Sequence, residues 1–170
     1  MDSTNTLERA FTISRILDAP RSLVFLAWTD PHHLGQWYYN DEQPIPSDPI
    51  TVDLRVGGAW RLKVVISEQE QYFTGGIYRE IVPGEKLVFT WGAVDGWPAI
   101  DEDHPEAYAP VATITLNELG DHGDRTEMIF QMALPEHLSE EQVRAWFATG
   151  YREGWIWGIG WLVARYRTFA

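Results

Sequence analysis

The sequence contains no cysteine. Disulfide bonds and thiolate chemistry are therefore excluded, which suits a cytoplasmic location, where such bonds are rare. Basic residues are also scarce: 13 Lys and Arg stand against 25 Asp and Glu, for a formal net charge of −12. A chain this acidic is not expected to bind nucleic-acid phosphates or an anionic membrane surface; the charge serves solubility. Long apolar runs are missing as well. The longest, Gly154 to Ala164, is shorter than the roughly 20 residues that a bilayer-spanning helix needs. The first residues, Met1 to Thr6, are polar, so no signal peptide is expected. The sequence has no Gly-rich phosphate loop, no Ser-centred nucleophile elbow and no EF-hand pattern. No cofactor and no metal are expected.

What is present points to a packed core. The chain has 170 residues, 45% of them hydrophobic and 14% aromatic, with nine Trp. That is enough for one domain spanning residues 1–170. Alternation of Phe11 and Ile13 with Thr12 and Ser14 predicts a first strand over 7–17. Asp18-Ala19-Pro20 opens a short helix, and Asp30-Pro31 opens a second through Leu34 and Trp37. A polar, Pro-rich loop spans 40–49. Six strands are then predicted, over 50–55, 59–67, 72–82, 86–91, 111–119 and 125–134. A bulge or bend is expected at Gly75-Gly76. An acidic loop over 92–109, containing Trp97 and Tyr108, is long enough to suggest a functional role. Ser139 and Gln142 form a capping box that starts a long helix running to the C-terminus. Strands grouped apart from helices define an α+β class with an antiparallel sheet.

On that helix, Tyr151, Trp155, Ile159, Leu162, Tyr166 and Phe169 share one face, which requires a large apolar partner. Trp146, Trp157 and Trp161 fall on the opposite side. That stripe is buried either by the short helices or by a second copy of the chain, in a homodimer. Gly150, Gly154 and Gly158 form a small-residue ridge, each costing roughly 1 kcal/mol in a helix interior. The ridge permits close approach of the sheet backbone or leaves room for a ligand; close contact is the commoner use of small residues. Arg79 shares strand parity with Phe73, Ile77 and Ile81. Without a bulge it faces the apolar side and needs an anionic partner, Glu153 or a ligand carboxylate. With a phase shift at Gly75-Gly76, or by snorkelling, it reaches solvent. His32 and His33 diverge on their helix and read as surface residues, and His104 and His122 lack metal-ligand spacing.

Several stretches together resemble one family. They are Ala19-Pro20-Arg21-Ser22-Leu23-Val24-Phe25 with Trp28 and Asp30-Pro31; Asp53-Leu54-Arg55-Val56-Gly57-Gly58; Gly76-Ile77-Tyr78-Arg79-Glu80; Leu87-Val88-Phe89-Thr90-Trp91; and Gly154-Trp155. In this order they resemble the activator of heat-shock-protein-90 ATPase homologue 1-like subfamily. That subfamily belongs to the helix-grip superfamily of START and birch-pollen-allergen-like (SRPBCC) domains. The resemblance implies a helix-grip fold, in which a curved antiparallel sheet wraps a long C-terminal helix and a cavity lies between them. From the facing apolar surfaces, the expected function is binding of a small, apolar or aromatic molecule. Trp60, Phe89, Met128, Phe130, Trp155 and Ile159 are the expected walls, and Tyr78, Arg79 and Tyr108 supply polar contacts. Two other classes stay open. One is a cyclase- or hydrolase-type enzyme using Arg79, Tyr108 or a histidine to polarise a carbonyl. The other is a chaperone-binding module.

Overall fold

The computed structural model describes residues 8–39, 46, 49–92, 99–100, 103–104 and 109–167. Strand β1 (Ala10–Leu17) leads into helices α1 (Arg21–Thr29) and α2 (Pro31–Tyr38). Strands β2 (Thr51–Val52), β3 (Ala59–Val65), β4 (Gln71–Val82), β5 (Lys86–Trp91), β6 (Val111–Leu119) and β7 (Arg125–Ala133) follow. Helices α3 (Glu140–Ala148) and α4 (Tyr151–Arg165) close the described chain. The strands form one seven-stranded antiparallel sheet in the order β1-β7-β6-β5-β4-β3-β2. The first strand thus lies beside the last, with Ile13 opposite Phe130.

The strand alternation places one apolar face inward. Phe11 and Ile13, Trp60 and Leu62, Leu87 and Phe89, Ile114 and Leu116, and Met128, Phe130 and Met132 are all buried. Helix α4 meets this face through Tyr151, Trp155, Ile159 and Leu162, all buried as their spacing predicts. Each such side chain contributes about 1.5–3 kcal/mol of burial. Helices α1 and α2 fill the remaining side. Trp28 stacks on Phe130 and Trp155 at 5.9 and 6.3 Å, and its indole N–H donates to Met128 Sδ at 3.3 Å. Trp37 packs edge-on against Trp28, and its indole N–H donates to the Ala27 carbonyl at 2.8 Å. Asp30 caps α2 by accepting from the His33 backbone and side chain, which holds its carboxyl below the usual range.

Four predicted features differ in the structure. The strand expected over 50–55 is reduced to Thr51–Val52, because Asp53–Gly58 forms a tight turn. Gly57 there has φ +86°, and a Cβ on Gly58 would run into the Asp53 carbonyl. The helix expected to run unbroken from the capping box is two helices. The capping box of Ser139 and Gln142 starts α3, and the chain breaks at Gly150 with φ +82°. Gly75-Gly76 is not a bulge: both glycines sit in an uninterrupted ladder, opposite Arg61 and Trp60. A side chain on Gly75 would strike the Trp60 backbone, and one on Gly76 the Thr90 backbone.

The fourth difference concerns Arg79. The register shift lies between Tyr78 and Glu80, and Arg79 is exposed there. The inward face of β4 carries Thr74, Gly76 and Tyr78, all buried, whereas Phe73 and Ile77 are only half-buried. Hydrophobicity alone therefore assigns the wrong face of this strand. Gly76 leaves room for Trp60 and Phe89, whose rings meet edge-on at 5.4 Å.

Candidate functional site

The walls expected from the sequence are packed shut. Phe89, Met128, Phe130 and Ile159 are at most 1% exposed. Trp60 and Tyr78 are equally part of the continuous core. Tyr78 keeps a buried hydroxyl that has no hydrogen-bond partner among the described residues, and burial pushes its phenol up in pKa. Arg79 is exposed at the bulge, and Tyr108 lies outside the described residues. Much of the acidic loop of 92–109 does too. Its roots are described: the Trp91 N–H donates to the Pro110 carbonyl, and the Gly92 N–H to the Gly75 carbonyl, at 2.9 and 2.8 Å. Among the described residues no cluster of three or more His, Asp or Glu could hold a metal ion.

Among the expected wall residues, Trp155 lines a cleft. A cleft of about 210 Å³ lies between α2, the β3–β5 part of the sheet and the first turns of α4. Trp37 and Tyr38 come from α2, Val64 from β3, Tyr72 from β4 and Trp91 from β5. The opposite side is Thr149 and the α4 residues Tyr151, Trp155 and Trp157, with Gly150, Gly154 and Gly158 between them. A cavity of about 150 Å³ accommodates benzene, so this cleft has room for a molecule of about two rings.

The glycine ridge accounts for that room. No atom of the described residues lies within 4 Å of the position a Cβ would take on Gly150, Gly154 or Gly158. Close approach of the sheet, the reading preferred from sequence, is therefore not what these glycines provide. They keep one side of the cleft free of side chains. Gly150 has a second role, since its left-handed φ ends α3 and re-aims the chain into α4.

Beside the cleft lie several polar groups buried out of contact with its open space. Tyr151 and Trp155 are 3% and 6% exposed. The Tyr151 hydroxyl and Trp155 indole N–H find no partner among the described residues. Thr74, inward on β4 like Tyr72, has a hydroxyl in the same condition. A buried donor without a partner costs about 1–3 kcal/mol, so such groups call for an explanation. Burial raises the phenol pKa values of Tyr38, Tyr72 and Tyr151, so all three are neutral at physiological pH. The described lining contains no carboxylate, imidazole, amine or guanidinium.

Sequence reasoning passed over Trp37, Tyr38, Tyr72, Trp91 and Tyr151 as lining residues. The available signal was the four-residue spacing of the glycines, which marks the side of α4 where the cleft opens.

An antiparallel sheet gripping a C-terminal helix, with two short helices inserted after the first strand, defines a helix-grip protein. The chain belongs to the Activator of Hsp90 ATPase homolog 1-like protein family, whose pattern matches residues 18–156. Solved structures share the fold. Protein Ms6760 from Mycobacterium smegmatis is 20% identical, with a TM-score of 0.68 over 92% of this chain and 89% of that one. Protein NE0264 from Nitrosomonas europaea is 22% identical, with a TM-score of 0.67 over 93% and 94%. An HSP90 activator from Plasmodium falciparum is 18% identical, with a TM-score of 0.54 over 86% and 89%. None of the curated proteins matches the chain. No described helix is long and apolar enough to cross a membrane.

Proposed function

We propose that the chain binds a small, largely apolar molecule in the cleft between α2, β3–β5 and the first turns of α4. One observation carries this reading: Gly150, Gly154 and Gly158 have no side chain and face space free of described atoms, while aromatic rings from three other elements, α2, β4 and β5, surround that space. Each glycine costs helix stability, and no described residue packs against Gly154 or Gly158 to offset it. Ligand pockets typically combine apolar walls with a few polar groups, and this cleft has that composition. A lining without an acid, base or cation supports binding over acid–base catalysis.

The test is native mass spectrometry of the purified protein, with titration of the neutral fluorophore N-phenyl-1-naphthylamine. The wild type should carry or take up an apolar molecule. Gly154→Leu should fold normally, because its side chain projects into space, and should abolish uptake. Equal uptake by the variant would show that the molecule binds elsewhere.

A second reading rests on the outer side of α4. Ile156 and Trp157 are 39% and 44% exposed, and Trp157 meets Trp161 edge-on at 6.2 Å. Exposed aromatic patches mark interaction sites, and we propose that this one joins two copies of the chain. Trp146, expected in the same stripe, lies on α3 against Tyr151 at 5.5 Å instead. Sedimentation at tens of micromolar should give a dimer, and Trp157→Glu with Trp161→Glu a folded monomer. A wild-type monomer overturns this reading. If that monomer binds an Hsp90-type chaperone, the patch is a chaperone-docking surface.

A further inference from the structure

The kind of apolar surface in the cleft restricts the charge of its guest, and this inference rests on the binding reading above. The sealed interior mixes aromatic with aliphatic side chains, among them Leu62, Leu87, Ile114 and Leu162. In the described lining of the cleft, Val64 is the one branched aliphatic residue, and the other large side chains are all Trp and Tyr. Aliphatic walls would exclude water equally well. What an aromatic ring adds is a face of negative charge. Three such rings keep accessible surface, and they come from three elements. Tyr38 of α2 and Tyr72 of β4 are half-buried, and Trp157 of α4 is 44% exposed. The phenols of Tyr38 and Tyr72 lie near enough that a charge on Tyr72 opposes one on Tyr38. The Glu70 carboxylate opposes a charge on Tyr72 in the same way. Negative potential therefore reaches this wall, and the formal net charge of −12 adds to it. The described lining nevertheless holds no carboxylate. A metal ion or a primary ammonium would lose its water there without gaining a partner, at high cost. A quaternary ammonium has no N–H to satisfy and carries its charge inside an apolar shell.

We propose that the cleft is a cage for a quaternary ammonium group, held by cation–π contact among Tyr38, Tyr72 and Trp157. A cation within about 6 Å of a ring centroid is attracted by the ring's face, most strongly by Trp and where water is excluded. The carbon groups on the nitrogen fill the space that Gly154 and Gly158 leave open. An uncharged guest of the same shape fills the same volume and gains no such attraction. An anion of that size is repelled by the same faces. The site thus discriminates by charge without holding a charged group of its own.

The experiment compares three probes by calorimetry and by displacement of N-phenyl-1-naphthylamine: choline, its uncharged carbon isostere 3,3-dimethyl-1-butanol, and the primary ammonium ethanolamine. Choline should bind roughly two- to thirtyfold more tightly than the isostere, the range of a cation–π contact in fold terms. Ethanolamine should bind more weakly than choline. Trp157→Leu keeps an apolar side chain at an exposed position and should shrink the ratio of choline to isostere affinity. Adding Tyr72→Leu should bring that ratio close to one. Equal affinity for choline and its isostere in a wild type that takes up the fluorophore overturns the cage and leaves the binding reading intact. Ethanolamine binding as tightly as choline also overturns it, since recognition would then rest on charge alone. A choline preference that survives in the double variant overturns the assignment to these rings. Failure of the fluorophore and all three probes to bind overturns both.

Discussion

The two sides of Trp155 show how one helix serves two purposes. Toward Ile159 and Leu162, α4 is sealed against the sheet and α1, with Trp28, Phe130 and Trp155 in mutual ring contact. Toward Gly150 and Gly154, the same helix borders open space. What differs between the two sides is side-chain volume on α4. On the sealed side large residues recur at helical spacing and meet large residues of the strands. On the open side glycines recur at the same spacing, opposite Tyr72, Trp91, Trp37 and Tyr38. A cavity in a close-packed interior must be built by withholding volume at particular positions, and here the withholding is done by the helix.

The largest break in this comparison comes from removing its hinge. Trp155→Ala deletes the ring shared by both sides and should cost about 3–5 kcal/mol in denaturant titration, as for other large aromatic deletions in cores. A loss below about 1 kcal/mol would mean that the stacked rings around Trp155 do not carry the sealed side.

A smaller effect comes from alkali. Burial raises the phenol pKa values of Tyr78 on the sealed side and Tyr151 on the open side. Unfolded tyrosine titrates near about 10, so above that pH the unfolded chain has lost protons that the folded chain retains. Stability is therefore fully present below about pH 10 and falls as pH rises beyond it, at roughly 1.4 kcal/mol per pH unit for each such tyrosine. By pH 11 the pair should cost about 2–3 kcal/mol, read from denaturation midpoints at pH 8 and 11. Tyr151→Phe should shallow that decline.

The break between α3 and α4 is sensitive at a lower level. Gly150 has φ +82° with no atom near its Cβ position, so Gly150→Ala meets strain and no clash. The cost should be about 1–2 kcal/mol, that of a left-handed residue with a Cβ. A neutral result would show that the helices can join without the left-handed turn.

The sequence makes much of the sealed side legible and little of the open one. Tyr151, Trp155, Ile159 and Leu162 announce a buried stripe because burial selects large apolar residues at a fixed period, and all four are buried. The inner faces of β5, β6 and β7 are read by the same logic. The rule fails on β4, where the inward residues are Thr74, Gly76 and Tyr78, and where Gly76 carries no side chain because Trp60 and Phe89 occupy that space. The phase error carries Arg79 with it. It fails again at Gly150, where periodicity continues across a point at which the backbone turns. The cleft is harder still to read. Its residues are united by space they do not fill, and a glycine that permits contact looks in sequence like a glycine that permits a vacancy. Only neighbours assembled from α2, β3, β4 and β5 tell the two apart.

The smallest expected effect separates the two meanings of glycine on one helix. Gly154 and Gly160 both lie inside α4, and neither has an atom of the described residues within 4 Å of its Cβ position. Only Gly154 borders the cleft. Replacing either by alanine removes backbone entropy from the unfolded chain and introduces no clash, so each should stabilise by up to about 1 kcal/mol. In a chain of this size that is a rise in Tm of about 2–4 °C. Stability should thus treat the two positions alike, and binding should not. Gly154→Ala places a methyl group on the open face of the cleft and should weaken uptake of N-phenyl-1-naphthylamine, whereas Gly160→Ala should leave it unchanged. Two stabilised variants with equal, undiminished uptake would mean that the glycine at 154 is not felt by the guest. The open side of α4 would then be a tolerated gap in the packing, as Gly160 is a tolerated gap on the surface.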